Sequence, residues 1–255
     1  MNEVKIILTG AGGRMGKAVI AAVNESSEVN IIAGVDINPM QSEFPVYLGI
    51  SEVSEKLGAD VIVDFSHHTA IEGILRYAVQ ANCAVVVCTT GHTPEELELI
   101  KSASEKIPVF RSGNMSLGIN LLMALVRKAA EVLEGYDIEI IEKHHNQKLD
   151  APSGTALMLV KAAEDGVKYQ PVLTYDRHEI HRKRDKNEIG VHSVRGGNIV
   201  GEHEVIFAGP EEIVTLSHSA SSRDVFARGA VKAAVFMKNK PAGMYDMQDV
   251  IRESM

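Results

Sequence analysis

The sequence predicts an α/β protein, in which a doubly wound parallel sheet is followed by a second α+β domain with an open sheet. A short apolar run from Val4 to Leu8 leads into a glycine-rich turn and a helical pattern. Apolar runs and helical patterns then alternate as far as Phe110, which is typical of βα units. Beyond Gly166 the alternation stops and several strand patterns follow one another. This change favours a largely antiparallel sheet in the second domain.

The first turn has the features of a dinucleotide-binding motif, because a second apolar run after its helix ends in Asp36. Glycines permit a tight turn and let a pyrophosphate approach the backbone, while the helix N-terminus supplies N–H groups. The Asp36 carboxylate can accept hydrogen bonds from the adenosine ribose hydroxyls. A purely structural glycine turn is the alternative. The residues of the turn expected to contact the cofactor are Gly10, Ala11, Gly12, Gly13, Arg14, Met15 and Gly16.

Residues at the ends of later strands extend this predicted site. Ligands of a doubly wound sheet lie beyond the carboxyl ends of its strands, where a nicotinamide ribose would run. His67 and His68 follow one of these strands, and a solvent or capping role is as plausible for them as a ligand contact. The further expected cofactor contacts are Phe65, Ser66, Thr89, Thr90, Gly91, Asn114 and Met115.

The choice between the two nicotinamide cofactors rests on the residues beside Asp36. Ile37 and Asn38 follow it, where an arginine would favour a 2′-phosphate. NADH is therefore the favoured cofactor. Arg14 in the glycine turn could still bind a phosphate, so NADPH stays open.

A second concentration of reactive side chains lies between Glu142 and Ala156, which we predict to be a loop from a strand end to a helix start. It contains His144, His145 and Lys148. Histidine and lysine can both deliver protons. An exposed polar loop with chance histidines is the alternative interpretation.

The end of this loop predicts an anion-binding helix start. Ser153 is a plausible N-cap, so that Gly154 and Thr155 would offer backbone N–H groups to a carboxylate. The chain carries a net charge of -8, and an acidic ligand would therefore need such a local site.

The remaining segments predict supporting structure. A small-residue segment, 112–116, precedes a long apolar helix and is the expected crossover and hinge between domains. The charged segment 176–188 has both signs and no interleaved aromatic residues, which favours a solvated loop. A final helix covers about 225–237, and the partly apolar tail at 241–247 is expected to dock on the body.

The bulk composition excludes several classes. The 255 residues are 45% hydrophobic and 24% charged, as in an ordinary globular protein. The negative net charge argues against binding to nucleic acid or anionic membranes. Cys83 and Cys88 read as buried thiols of a reducing compartment. With no membrane-length apolar run and no signal peptide, we expect a cytoplasmic protein, and no metal site is predicted.

These motifs closely resemble the dihydrodipicolinate reductase family, and the match extends nearly end to end. The histidine–lysine–aspartate–proline order at 144–156 is its most specific part. The matching segments are G-A-G-G-R-M-G at 10–16, V-D-F-S at 63–66, T-T-G at 89–91, H-H-N-Q-K-L-D-A-P-S-G-T-A at 144–156, I-G-V-H-S-V-R-G-G at 189–197, I-V-G-E-H at 199–203, and S-S-R followed by F-A-R-G-A within 221–230.

The resemblance implies a Rossmann-like domain (1–115 plus 224–255) and a domain for substrate binding and oligomerisation (116–223) with an open mixed sheet. It implies a homotetramer formed through those sheets. It also implies a reaction of the diaminopimelate–lysine pathway, in which a nicotinamide hydride reduces a small cyclic dicarboxylate, derived from hydroxytetrahydrodipicolinate, to tetrahydrodipicolinate.

By the same resemblance, His144 matches the acid/base histidine of the family and Lys148 its proton-donating lysine. His145 matches a substrate-contacting histidine, and Gly154 and Thr155 match the pair that holds a substrate carboxylate. The alternatives are another two-domain dehydrogenase of a small carboxylated substrate and a non-catalytic dinucleotide-sensing protein.

The sequence departs from the family pattern on the cofactor side. Cys88 and His67 stand where glycine and arginine are usual, and Ser112-Gly113-Asn114 replaces a common Ala-Pro-Asn. The usual basic residue after Asp36 is also missing. These differences concern the preference for NADH or NADPH and not the substrate chemistry.

Overall fold

The structure is a computed structural model that describes residues 3–254. The chain forms two compact units. The first unit contains the residues up to Ser116 and those from Asp224 onwards, and the second is Leu117–Arg223. Within residues 3–254, no helix has the length and apolarity needed to cross a membrane.

The described residues form twelve strands and seven α-helices. The strands are β1 (Val4–Thr9), β2 (Val29–Val35), β3 (Val46–Tyr47), β4 (Val61–Asp64), β5 (Ala84–Val87), β6 (Pro108–Arg111), β7 (Asp137–His144), β8 (Val172–Thr174), β9 (Glu188–Arg195), β10 (Gly201–Ala208), β11 (Ile213–Ala220) and β12 (Gly243–Tyr245). The helices are α1 (Arg14–Asn24), α2 (Ile71–Ala81), α3 (Pro94–Ser104), α4 (Leu117–Val132), α5 (Gly154–Glu164), α6 (Asp224–Met237) and α7 (Met247–Ser254).

The first unit is built on one sheet with the strand order β12-β6-β5-β4-β1-β2-β3, and all its pairings are parallel. The predicted doubly wound parallel sheet is therefore confirmed. Its central strands are apolar on both faces because helices cover both. Leu8 and Val63 join the core cluster with α1 and α6, whereas Ile7 and Ile62 join the cluster with α2 and α3.

The chain returns to the first unit through α6. Gly229 of this helix packs so closely that a Cβ there would lie 1.7 Å from the carbonyl oxygen of Met115. The tail then docks on the sheet as predicted, because β12 pairs with β6 and forms the edge of the sheet. The short strand β3 and the terminal helix α7 had no clear sequence signal.

The sheet of the second unit is mixed, with the order β11-β10-β7-β9-β8. Strand β10 pairs antiparallel with β11 and β7, while β9 pairs parallel with β7 and β8. The expectation of a largely antiparallel sheet is therefore wrong, and the mixed sheet implied by the family resemblance is confirmed. The reason is that β7 lies between β9 and β10, so these consecutive strands form no hairpin ladder.

Strand β7 also runs further than predicted. It continues through His144, because Lys143 still pairs with Val194 of β9 and Glu202 of β10. The loop therefore spans 145–153. The prediction of a loop from Glu142 to Ala156 is wrong at both ends, because β7 extends to His144 and α5 begins at Gly154. Side chains of β7 alternate between a buried face and a half-buried face, so Glu142 and His144 share the buried face.

The charged segment 176–188 is more than a solvated loop. The Arg184 guanidinium donates to Asp137 at 2.9 Å and to Glu139 at 3.0 Å. Glu188 is only 2% exposed and is paired with Arg177. The prediction of a solvated loop is wrong for these residues, because their ion pairs hold the segment against the first residues of β7 and β9.

Candidate functional site

Two positions of the glycine-rich segment, one in the turn after β1 and one in the first turn of α1, accept only glycine. Gly10 has a φ of +73°, and a Cβ there would lie 2.3 Å from the carbonyl oxygen of Phe65. A Cβ on Gly16 would lie 2.2 Å from the carbonyl oxygen of Gly10. Gly13 is the N-cap of α1 and provides no side-chain cap. The turn therefore presents backbone groups to a ligand, as pyrophosphate binding requires.

Asp36 lies against this turn, directly after β2. Its Oδ2 accepts the Gly12 N–H at 2.9 Å, and its Oδ1 accepts the Asn38 N–H at 2.9 Å. An ionised carboxylate has about four acceptor positions. Asp36 can therefore accept ribose hydroxyls while keeping its contact with the glycine turn.

A cavity of about 770 Å³ opens at the carboxyl end of the sheet, beside the glycine turn. Several of the predicted cofactor residues do not line this cavity. Ala11 and Gly16 are buried in the turn, and the Met115 side chain is buried in the core, whereas Arg14 is exposed and Met15 packs against the core. The predicted cofactor contacts that line the cavity are Gly10, Gly12, Gly13, Asp36, Phe65 and Ser66.

A larger depression, of about 1270 Å³, lies at the opposite edge of the sheet. Lys5, Glu28 and Asp60 line it, close to where β1, β2 and β4 begin. Ligands of doubly wound sheets bind at the other, carboxyl edge. We therefore assign no function to this depression.

The buried carboxylate of Asp64 connects three strand ends beneath the cavity. It accepts hydrogen bonds from the hydroxyls of Thr9 at 2.6 Å, Ser66 at 2.5 Å and Thr89 at 2.7 Å. These residues follow or end β1, β4 and β5. The hydroxyls of two predicted cofactor contacts, Ser66 and Thr89, are thereby held by the same carboxylate. The predicted contacts Thr90, Gly91 and Asn114 do not line the cavity.

The histidines after β4 serve local structure. The His67 ring accepts the Thr69 N–H and caps a short 3₁₀ helix. The His68 ring lies 2.9 Å from the Glu96 carboxylate. His67 therefore has the capping role, although it also lines the cavity, and His68 is held by a side chain of α3.

In the second unit, Glu142 is the centre of a buried polar network. Its side chain is 0% exposed. Its two oxygens accept hydrogen bonds from the Arg195 guanidinium at 2.7 and 2.8 Å, and Oε2 lies 2.6 Å from Nδ1 of His144. Burial alone would raise the pKa of Glu142, but hydrogen bonds from Arg195, His144 and Ser193 outweigh it and lower the pKa to about 2. Glu142 is therefore an anion at neutral pH.

His203 of β10 packs beside His144, with the ring centroids 5.2 Å apart. Its Nε2 lies 3.2 Å from the Ser153 hydroxyl. Burial, followed by the neighbouring His144, lowers the pKa of His203 to about 4. His203 is therefore neutral at physiological pH and acts as a hydrogen-bonding partner of Ser153.

Lys148 is held by a contact within the loop, and His145 by a contact with Arg223. The Lys148 ammonium lies 2.8 Å from the Asp150 carboxylate, whose pKa this hydrogen bond lowers. The Asp150 carbonyl accepts a hydrogen bond from Arg195 at 2.6 Å, which links Lys148 to the Glu142 network. Nη2 of Arg223, which directly precedes α6, lies 3.3 Å from Nε2 of His145 and brings a further cation to the loop.

The predicted N-cap of α5 is confirmed. The Ser153 hydroxyl accepts the Ala156 N–H at 3.1 Å, and the Ser153 N–H donates to Glu142 at 3.1 Å. Gly154 is exposed and Thr155 is half-buried at the first turn. The start of α5 is thus tied to the same carboxylate as His144.

Sequence reasoning missed Glu142, Arg195 and His203 as parts of this site. The two-residue spacing of Glu142 and His144 was an available signal, since it places both on one face of a strand. Arg195 and His203 come from β9 and β10, and only the strand register brings them together. Within residues 3–254, no group of three or more His, Cys, Asp or Glu side chains could hold a metal ion.

Comparison with known proteins agrees with this geometry. The chain is 50% identical over 250 residues to the 4-hydroxy-tetrahydrodipicolinate reductase of Caldanaerobacter subterraneus subsp. tengcongensis, covering 98% of this chain and 99% of the relative. It is 49% identical over 250 residues to the enzyme of the same name from Clostridium novyi, covering 97% and 98%.

Among solved structures, the dipicolinate-bound dihydrodipicolinate reductase from Paenisporosarcina sp. TG-14 matches with a TM-score of 0.79 and 24% identity, covering 98% of this chain and 100% of that one. This match supports the fold. Family models match residues 4–115, as "Dihydrodipicolinate reductase, N-terminus", and residues 118–251, as "Dihydrodipicolinate reductase, C-terminus". The chain therefore belongs to the dihydrodipicolinate reductase family.

Proposed function

We propose that this chain is a 4-hydroxy-tetrahydrodipicolinate reductase, which uses NAD(P)H to form tetrahydrodipicolinate in the diaminopimelate–lysine pathway. The nearly full-length similarity to relatives of that name carries the proposal. The geometry supports it, because each unit contains one of the two sites that the reaction needs.

The cavity at the glycine turn fits a nicotinamide dinucleotide. Gly10 and Gly16 let the chain pack closely around the turn. The N-cap of α1, Gly13, has no side chain, so a pyrophosphate can approach the N-terminus of α1. The bound nicotinamide supplies a hydride. Asp36 would accept the ribose hydroxyls, and its negative charge disfavours a 2′-phosphate, so we infer that NADH serves at least as well as NADPH.

The start of α5 fits a carboxylate of the substrate. The Gly154 and Thr155 backbone lies at a helix N-terminus, where partial positive charge favours anions. Lys148 and Arg223 add positive charge within the same unit. A cyclic dicarboxylate, such as the dipicolinate of the Paenisporosarcina structure, has the charge that this site requires.

His144 and Lys148 are the residues proposed to deliver the proton. Hydride addition to an unsaturated imine builds negative charge on the neighbouring carbon. A cationic acid stabilises that charge and then protonates the carbon. The network through Asp150, Arg195 and Glu142 connects the two side chains and holds both in place.

We also infer that the chain assembles into a homotetramer through the mixed sheet. Helices α4 and α5 pack on one face of this sheet, while Ile141 and Ile206 lie half-buried on the other. Light scattering of the purified protein should give about four times the chain mass of 27.7 kDa. A mass of one chain would contradict this assembly.

A coupled assay tests the reaction. The unstable substrate is generated in place from pyruvate and aspartate semialdehyde by the preceding synthase, and the loss of NADH or NADPH absorbance is followed. We expect oxidation that depends on both this protein and the synthase. The absence of substrate-dependent oxidation with either cofactor would reject the proposed function.

A further inference from the structure

The Glu142 carboxylate touches both the proposed proton donor and the proposed carboxylate anchor. Its Oε2 lies 2.6 Å from Nδ1 of His144, and its Oε1 accepts the Ser153 N–H at 3.1 Å. Ser153 is the N-cap of α5. One buried side chain therefore sets the relative position of an acid and a helix start that lie ten residues apart along the chain.

The state of this carboxylate determines the state of His144. Arg195 donates to both oxygens of Glu142, and the lowered pKa of Glu142, about 2, keeps it ionised. An ionised carboxylate can only accept hydrogen bonds. The 2.6 Å contact therefore requires a proton on Nδ1 of His144.

We propose that Glu142 is a positioning residue, which holds His144 as the Nδ1–H tautomer so that Nε2 is the nitrogen that carries the transferred proton. This inference rests on the proposed role of His144. The Nε2 atom lies beside Gly201 of β10, where a Cβ would approach it to 3.1 Å. The absence of a side chain at Gly201 leaves space on that side of the ring.

A purely structural ion pair is the competing explanation, because a buried Glu–Arg pair destabilises the fold when one partner is lost. Such a pair would change the fraction of folded protein. It would not choose the tautomer of His144 in the molecules that remain folded. The tautomer and the split between kcat and KM therefore separate the two explanations.

The variant Glu142→Gln changes the donor pattern with little change in shape. At the Oε1 position the carboxamide NH₂ would meet two groups that can only donate, the Ser153 N–H and the Arg195 guanidinium. At the Oε2 position it meets only one, because His144 can change its tautomer. We therefore expect the NH₂ group to point at His144, whose Nδ1 then becomes an acceptor. In ¹⁵N-histidine-labelled protein, we expect the imidazole shifts of His144, assigned with His144→Gln, to change from the Nδ1–H to the Nε2–H form.

We expect kcat of Glu142→Gln to fall on the order of 10–100-fold, by analogy with the loss of the hydrogen-bond partner of a metal-bound histidine. KM for the substrate should change little, because the remaining carbonyl oxygen still accepts the Ser153 N–H, and the dissociation constant for NADH should stay unchanged. If Glu142→Gln does not fold, Glu142→Gln/Arg195→Met removes the unpaired guanidinium and must show the same tautomer.

Glu139→Gln is the matched control. Glu139 lies on the other face of β7 and also pairs with a histidine and an arginine, His192 at 2.8 Å and Arg184 at 3.0 Å. Its replacement should leave the His144 spectrum and kcat unchanged.

An unchanged Nδ1–H tautomer in folded Glu142→Gln would overturn the proposal, and so would a changed tautomer with an unchanged kcat. Failure of the proposed function would look different. In that case the wild-type protein would oxidise no cofactor in the coupled assay, while the spectrum would still report the tautomer.

Discussion

The helices α1 and α5 provide the two proposed anion-binding N-termini, and they are built by opposite means. The N-cap of α1 is Gly13, and no side chain caps the helix. The N-cap of α5 is Ser153, whose hydroxyl caps the helix and whose N–H is held by buried Glu142. The first N-terminus requires that side chains be absent, and the second requires that buried charged side chains be present. Substitutions at the two N-termini should therefore impair the protein in different ways.

The largest expected effect separates the chemistry of the second unit from cofactor binding by the first. Lys148→Ala should lower kcat by about 10²–10⁴-fold, the usual contribution of a general acid. The dissociation constant for NADH, measured by fluorescence titration, should barely change, because Lys148 lies outside the dinucleotide-binding unit. Lys161→Ala, at the exposed end of α5, is the control. Near-normal turnover of Lys148→Ala would remove Lys148 from the mechanism.

The next-largest effect is the pH dependence of folding stability that comes from His203, the hydrogen-bonding partner of Ser153 at the start of α5. His203 has a folded-state pKa of about 4, against about 6.5 in the unfolded chain. As the pH falls from 6.5 to 4, the unfolded state binds the proton first. The free energy of unfolding should therefore decrease by about 3 kcal/mol across this window.

Urea unfolding at several pH values measures this contribution. His203→Gln should flatten the dependence between pH 6.5 and 4, whereas exposed His178→Gln should leave it as in the wild type. Parallel curves for the wild type and His203→Gln would show that His203 is not buried in the neutral form.

A smaller effect is expected from adding one methyl group to the glycine turn. In Gly16→Ala, the Cβ would lie 2.2 Å from the Gly10 carbonyl oxygen, so the turn must shift. The overpacked turn should lower the free energy of unfolding by about 1–3 kcal/mol. Because the shifted turn no longer fits the pyrophosphate, NADH affinity should fall about 10-fold, equivalent to about 1.4 kcal/mol of binding free energy. Gly73→Ala in α2 is the control, since its Cβ would meet only Ile50 at 3.7 Å. Unchanged NADH affinity in Gly16→Ala would mean that the cofactor does not use this turn.

The smallest effect is on cofactor choice. The wild type should show a kcat/KM for NADH at least equal to that for NADPH. Asp36→Asn should raise the NADPH to NADH ratio by about 5-fold, since a partly exposed charge contributes roughly 1 kcal/mol. A much larger kcat/KM for NADPH in the wild type would show that Arg14 or another cation outweighs Asp36.

Predictions succeeded where the interacting groups are close in sequence. Ser153 caps α5 as predicted, and a similar local contact, the capping box of Thr93 and Glu96, begins α3. These contacts span three residues, so the residue types alone indicate them. Local reasoning failed for the charged segment 176–188. It is partly buried because Arg184 pairs with Asp137 and Glu139, which are distant in the sequence, and because Glu188 is buried.

The sequence by itself determined the glycine turn, the acid after β2 and the helix start at Ser153, because these depend on backbone freedom and hydrogen bonds over a few residues. Only the tertiary structure decided the surroundings of Glu142. Pairing of β7 with β9 and β10 places Arg195 and His203 beside it, although they lie more than fifty residues away in the chain. Burial then makes a carboxylate, a guanidinium and two imidazoles depend on one another, and no local pattern encodes which distant strand supplies each partner.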